Sequence, residues 1–240
     1  MNSSKKSILN SNFTYLAAFV LPVIMMMALY YTRGIFPWGN ECYLRSDMYH
    51  QYAPFFSELW HKIRNGESLT YSWNIGMGTN FTSLFAYYLA SPSNWFVALF
   101  PQKYTIEIMN AFIILKIAGS SLSLTYYLTK HNNNKHVIAA IFGMFYGMSG
   151  FIAAYSWNIM WLDCVILIPL IMLGLERLVN ENRCIFYCIT LGLCIFTNYY
   201  IAIMVCLSVV IYYVVLMIAY NGIKSPMQYV KKFINFCVYS

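Results

Sequence analysis

The chain has 240 residues, of which 60% are hydrophobic and only 10% charged, with a formal net charge of +7. A water-soluble domain carries about a quarter charged residues, so an ordinary soluble fold is excluded. The cations are spread between apolar runs rather than clustered, which argues against nucleic-acid binding and for membrane topology.

The aromatic residues, 22 Tyr, 17 Phe and 6 Trp, suit a membrane interface, where the ring is buried and the polar tip is wet. The seven Cys include no CxxC pair. Cys164, Cys184, Cys188, Cys194, Cys206 and Cys237 lie in or beside apolar segments and read as packing residues, not as a zinc site or a disulfide framework.

The first apolar run, Phe13 to Tyr31, follows Lys5 and Lys6 and has the length of a start-transfer helix. It is longer than a signal-peptide core and no A-x-A-like site follows, which argues against cleavage. Residues 33–104 then change character, with Glu41, Asp47, Glu58 and Glu67, two of the four His, and clustered Gly and Trp. They read as an external loop. Within it Ser46 is placed to cap a helix running through Glu58 to Arg64, and Gly66 to Gly78 reads as irregular. Phe81 to Phe100 is apolar but interrupted at Ser91-Pro92-Ser93-Asn94, which predicts an interfacial or re-entrant segment.

Five further spans are predicted, Thr105 to Thr129, Val137 to Tyr155, Leu162 to Leu175, Cys184 to Thr197 and Ile201 to Tyr220. The segments at 162–175 and 184–197 are short or broken. Lys5, Lys6, Lys130, Lys135, Arg177, Arg183, Lys224, Lys231 and Lys232 fall on one side, while the opposite short loops 156–161 and 198–200 contain no Lys or Arg. The positive-inside bias makes the first side cytoplasmic and predicts six helices with both ends inside. Arg33, Arg45, Lys62, Arg64 and Lys103 lie outside, in a loop long enough to translocate regardless of charge. Phe233 to Ser240 reads as the start of a seventh helix, cut short.

Three places carry polar groups suited to chemistry. Asp47, His50 and Gln51 stand at i, i+3 and i+4, which on an α-helix is one face, and a carboxylate there is able to accept a proton from a hydroxyl. The plain alternative is an Asp favoured in a first helical turn. Asp163, where the loop after Trp157 and Trp161 enters a helix, is either a capping residue or a functional carboxylate, and the two Trp either stack on a sugar or belong to the interfacial belt. Lys116 lies about 16 Å into its span at 1.5 Å per residue and requires a partner: a lipid phosphate, an acidic side chain or a carbonyl cluster. Asn198-Tyr199-Tyr200 reads as an external turn, and Asn12 and Asn80 each head an N-x-T sequon. No P-loop, HExxH, GxSxG or dinucleotide fingerprint occurs.

Ser46-Asp47 to Gln51-Tyr52, Gly76-Met77-Gly78-Thr79-Asn80, Tyr87-Tyr88-Leu89-Ala90-Ser91-Pro92, mid-helix Lys116, Trp161-Leu162-Asp163 and Thr197-Asn198-Tyr199-Tyr200 together resemble the bacterial YfhO membrane-protein family. The resemblance implies an all-α, polytopic, GT-C-like helical bundle, in which longer members add further helices and a later extracytoplasmic portion. It also implies a glycosyltransferase of the bacterial cytoplasmic membrane that draws on a polyprenyl-phosphate-linked sugar and decorates an envelope polymer such as lipoteichoic acid. On it, Asp47 and Asp163 become the catalytic carboxylates, and His50, Gln51, Lys116, Trp161, Asn198 and Tyr199 line the substrate. Whether the two Asp share a divalent metal stays open, because oxygen-only ligation has no spacing signature. The competing readings are a transporter or lipid flippase, which would also keep an intramembrane Lys, and an inactive assembly fragment. No internal repeat of helices favours the transporter.

Overall fold

A computed structural model describes residues 2–133, 137–219 and 226–240, with side chains from residue 12 onward. The helices begin with α1 (Asn2–Thr32), α2 (Ala53–Asn65), α3 (Phe81–Leu84) and α4 (Thr105–His131). They continue with α5 (Val137–Gly147), α6 (Gly150–Tyr155), α7 (Leu162–Glu181), α8 (Ile185–Thr197), α9 (Tyr199–Ala219) and α10 (Pro226–Tyr239). The fold is an all-α bundle. Four stretches, Asn12–Thr32, Gln102–His131, Val137–Tyr155 and Tyr199–Ala219, are long and apolar enough to cross a membrane. Of the basic residues used for the topology, Lys135 and Lys224 lie outside the described residues, as does Tyr220, and only the backbone of Lys5 and Lys6 is described.

α4 is the central helix, packed against α1, α5 and α7. Its approach to α5 is close because α5 offers glycine where α4 offers small hydroxyl residues. A Cβ on Gly143 would lie 2.1 Å from Thr125 Oγ1 and 2.4 Å from the Ser121 carbonyl. In lipid, where helices gain little from hydrophobic contact alone, this kind of small-residue seam allows dense packing. Thr125 Oγ1 crosses it to donate to the Ala139 carbonyl at 3.3 Å. α7 and α8 meet the same way, with a Cβ on Gly174 landing 2.7 Å from the Tyr187 Cα.

The loop from 33 to 104 is folded. α2 ends at Gly66, whose left-handed φ of 65° closes the last turn. Its buried face carries Glu58 and Lys62, which hold the following chain in place. Ser72 Oγ and Asn74 Nδ2 donate to Glu58 at 2.6 and 3.0 Å, and Lys62 donates to the carbonyls of Ser68 and Tyr71. Tyr71–Ser72 (β1) and Thr79–Asn80 (β2) pair antiparallel, and the Asn80 side chain caps α3 by accepting from Ser83 N. The apolar run from 81 to 100 is divided into α3, a π turn at Phe85–Leu89 and a 3-10 helix at Pro92–Leu99.

Three local expectations are corrected. Ser46 does not cap with its hydroxyl: it has a left-handed φ of 49°, and the N-terminal residue of the next turn is Asp47, which makes no side-chain capping bond. α7 runs to Glu181 instead of stopping near Leu175, and α10 begins at Pro226, seven positions before Phe233.

Candidate functional site

Lys116 reaches from the middle of α4 to the first turn of α7. Its Nζ donates to Asp163 Oδ2 at 2.6 Å and to the Ile159 carbonyl at 3.2 Å. The Lys side chain is 5% exposed and the Asp side chain 14%. Of the partners foreseen for this lysine, the structure supplies an acidic side chain together with a carbonyl. The stretch Gln102–His131 has 30 residues, about 45 Å of helix against a hydrocarbon core of about 30 Å. α2 and the 3-10 helix pack against α4. Lys116, in the middle of α4, is level with the start of α7 because its bond to Asp163 joins the two.

Around this pair the loop, the 156–161 turn and the α8–α9 junction are tied together. Tyr52 Oη donates to Asn158 Oδ1 at 2.9 Å, and Tyr43 Oη and Ser156 Oγ lie 2.6 Å apart. The Tyr52 ring stacks on Trp157 with centroids 6.2 Å apart, and tilts against Tyr88 at 5.4 Å. Gln51 Nε2 donates to Tyr88 Oη at 3.1 Å. Asn198 Nδ2 donates to the Tyr87 carbonyl at 3.0 Å, while its Oδ1 accepts from Ile201 N and caps α9. Tyr199 meets Tyr87 edge-on at 5.7 Å, and Trp161 stacks on Tyr200 at 6.2 Å.

Asp47 lies exposed at the rim of this cluster. Burial first, then the charge of Asp47, push the Tyr52 hydroxyl well above its ordinary range. Tyr88 is raised as well, chiefly by burial and then by Tyr87, with a smaller contribution from Asp47. Both phenols therefore remain protonated donors near neutral pH.

Asp47, Gln51, Lys116, Trp161, Asp163, Asn198 and Tyr199 thus gather at one end of the bundle. His50 does not join them. It is exposed and its ring stands edge-on to Tyr49 at 5.2 Å. The shared helical face expected for Asp47, His50 and Gln51 fails because Met48–Tyr52 is a π turn, in which Ala53 N bonds to the Met48 carbonyl. The wider turn moves the i+3 residue off the face it would share in an α-helix. Asp163 is also not a free second carboxylate, since Lys116 occupies Oδ2.

Sequence reasoning missed Tyr52 and Asn158 as site residues. Neither has a spacing signal, and only the polarity of Asn158 between two Trp in a short loop hints at it. Asn158 is 2% exposed. Among the described residues its Nδ2, and the Nε1 of Trp161, are buried without a hydrogen-bond partner. A second polar cluster, at the other end of α4, was also missed. There Glu176 Oε1 accepts from Tyr127 at 2.8 Å and Tyr212 at 2.5 Å, and lies 2.8 Å from His131 Nδ1. Among the described residues no three His, Cys, Asp or Glu gather into a group that could hold a metal ion.

An all-α bundle with membrane-length helices, an ion pair buried inside it and a polar, aromatic cluster over one end defines a polytopic membrane protein. The chain belongs to the family of the bacterial membrane protein YfhO, whose model matches residues 17–240. No curated protein and no solved structure matches it.

Proposed function

We propose that the protein acts as a GT-C-like glycosyltransferase of the bacterial cytoplasmic membrane. It moves a sugar from a polyprenyl-phosphate donor to an extracytoplasmic envelope polymer such as lipoteichoic acid. The observation that carries the reading is the Lys116–Asp163 pair, buried beneath a polar, aromatic-lined cluster whose rim holds Asp47. A lipid-linked sugar presents an apolar tail to the bilayer, a phosphate at its surface and a hydroxyl-rich ring beyond, and these match lipid-facing helices, a cation and an aromatic cluster in that order.

In the proposed reaction an acceptor hydroxyl oxygen attacks the anomeric carbon. The new carbon–oxygen bond forms as the bond to the lipid phosphate breaks, and the phosphate leaves with the electron pair. Asp47 takes the hydroxyl proton, the role of a general base. Lys116 offsets negative charge gathering on the leaving phosphate, and Asp163 holds its ammonium in place as a positioning residue. Gln51, Asn198 and Tyr199 shape the wall against which the donor rests. The test is polymer glycosylation in cells whose only copy carries Asp47→Asn. Loss of glycosylation with normal membrane accumulation supports the reading, and retained glycosylation removes it.

A further inference from the structure

The 156–163 turn holds two buried donors with nothing to donate to. Its backbone is closed by Asn158 N to the Tyr155 carbonyl and Trp161 N to the Asn158 carbonyl, both at 2.9 Å. The Ile159 carbonyl is taken by Lys116. Tyr52 fixes the Asn158 amide by donating to Oδ1, which leaves Nδ2 as the unmet group. Trp161 has Tyr200 stacked on it and Tyr155 tilted against it at 6.0 Å, so its unmet feature is the indole N–H, not a free face. Buried donors left unpaired are costly, and native proteins keep few of them.

We infer that Asn158 Nδ2 and Trp161 Nε1 are the donors that hold oxygen atoms of the sugar unit, as a binding site within the turn. The inference rests on the proposed glycosyltransferase reading and names the part of the donor that this turn recognises. Both donors are uncharged, whereas the buried ammonium nearby, Lys116, is the group that the reading assigns to the phosphate. A phosphate calls for charge-assisted donors, whereas a hexose offers neutral hydroxyl oxygens.

The two donors can be removed with little change of shape. Asn158→Leu in a Tyr52→Phe background, measured against Tyr52→Phe alone, removes the NH2 without adding a charge and without leaving the Tyr52 hydroxyl unpaired. Trp161→Phe keeps an aromatic ring against Tyr200 and lacks the N–H, and it serves if the first variant does not accumulate. The measurement is the thermal shift of the purified full chain in detergent with decaprenyl phosphate, and with decaprenyl-phosphate glucose, galactose or mannose. The wild type is expected to respond more strongly to at least one sugar-bearing lipid. Each variant is expected to lose roughly fivefold in affinity for that lipid, the effect of about one hydrogen bond, with its response to bare decaprenyl phosphate unchanged.

Variants that keep the whole sugar-dependent increment would overturn this inference and leave the donor-lipid reading standing. Equal response of the wild type to bare and sugar-bearing lipid would do the same, with water then filling the turn. A wild type that responds to no polyprenyl lipid would sink the donor-lipid reading, and this inference with it.

Discussion

The ammonium of Lys116 and the carboxylate of Asp163 lie 2.6 Å apart, joining the middle of α4 to the first turn of α7. A charge this well buried is stable only with its partner, so removing either member is far more damaging than removing both. Lys116→Met or Asp163→Asn is expected to destabilise the protein by about 3–5 kcal/mol, whereas the double change Lys116→Met with Asp163→Leu restores most of the loss. Thermal unfolding in detergent, followed by size-exclusion recovery, reads the difference. Single and double variants that unfold alike would show that the pair contributes nothing of its own.

Tyr52→Phe tests the tie between the external loop and the 156–161 turn. It removes the hydroxyl that donates to Asn158 Oδ1 and leaves that buried oxygen unpaired. The expected cost is about 1–3 kcal/mol, with the ring stack on Trp157 retained. Limited proteolysis of the 33–104 loop should become faster in this variant if the bond fastens the loop to the bundle, and unchanged protection would assign the fastening to the rings.

Gly174→Val places a branched side chain where a single Cβ already lies 2.7 Å from the Tyr187 backbone. α7 and α8 must then separate, and overpacking of this kind costs about 1–3 kcal/mol. Gly192, with nothing within 4 Å of a built Cβ, is the control. Gly192→Val should differ little from the parent in unfolding temperature, apart from a small gain in helix propensity common to both sites.

The all-α, multi-helix character is legible from composition and apolar runs, because lipid demands helices whose backbone bonds are internally satisfied. What was not legible depended on contacts between helices. α7 outlasts its apolar run because Glu176 finds Tyr127 and Tyr212 on neighbouring helices, and Arg177 lies over the Phe186 ring. Polar residues that look like a membrane boundary in one dimension are helix interior in three. Lys116 demanded a partner on sequence grounds, but the choice of Asp163 needed the meeting of α4 and α7. The helical face assumed for Asp47, His50 and Gln51 failed because periodicity cannot distinguish a π turn from an α turn over five residues.

Sidedness is predicted from the basic residues, which place the loop and the 156–161 turn outside. In a background with the native cysteines replaced, Met77→Cys reports the β1–β2 hairpin, where Met77 is 99% exposed. Asn182→Cys reports the exposed α7–α8 connection. A membrane-impermeant maleimide added to intact cells should label the first and not the second. The opposite pattern would invert the topology and move the site to the cytoplasmic face.

Asp47 is the residue on which the proposed chemistry turns. It is exposed at the rim, makes no side-chain capping bond and has no ion-pair partner among the described residues, so its loss should leave the fold intact. It stands at the solvent-exposed edge of the cluster, five residues before Tyr52, whose hydroxyl its charge helps to raise. A general base is worth roughly 10²–10⁴-fold, so Asp47→Asn should lower sugar transfer by about that range with unchanged accumulation and unfolding temperature. His50→Ala, outside the cluster, should stay within about threefold of the parent, well short of the loss expected for a base. Comparing the two in one glycosylation assay separates a catalytic carboxylate from a polar surface turn. Equal activities in the two variants would return Asp47 to the role of an ordinary helix-start aspartate.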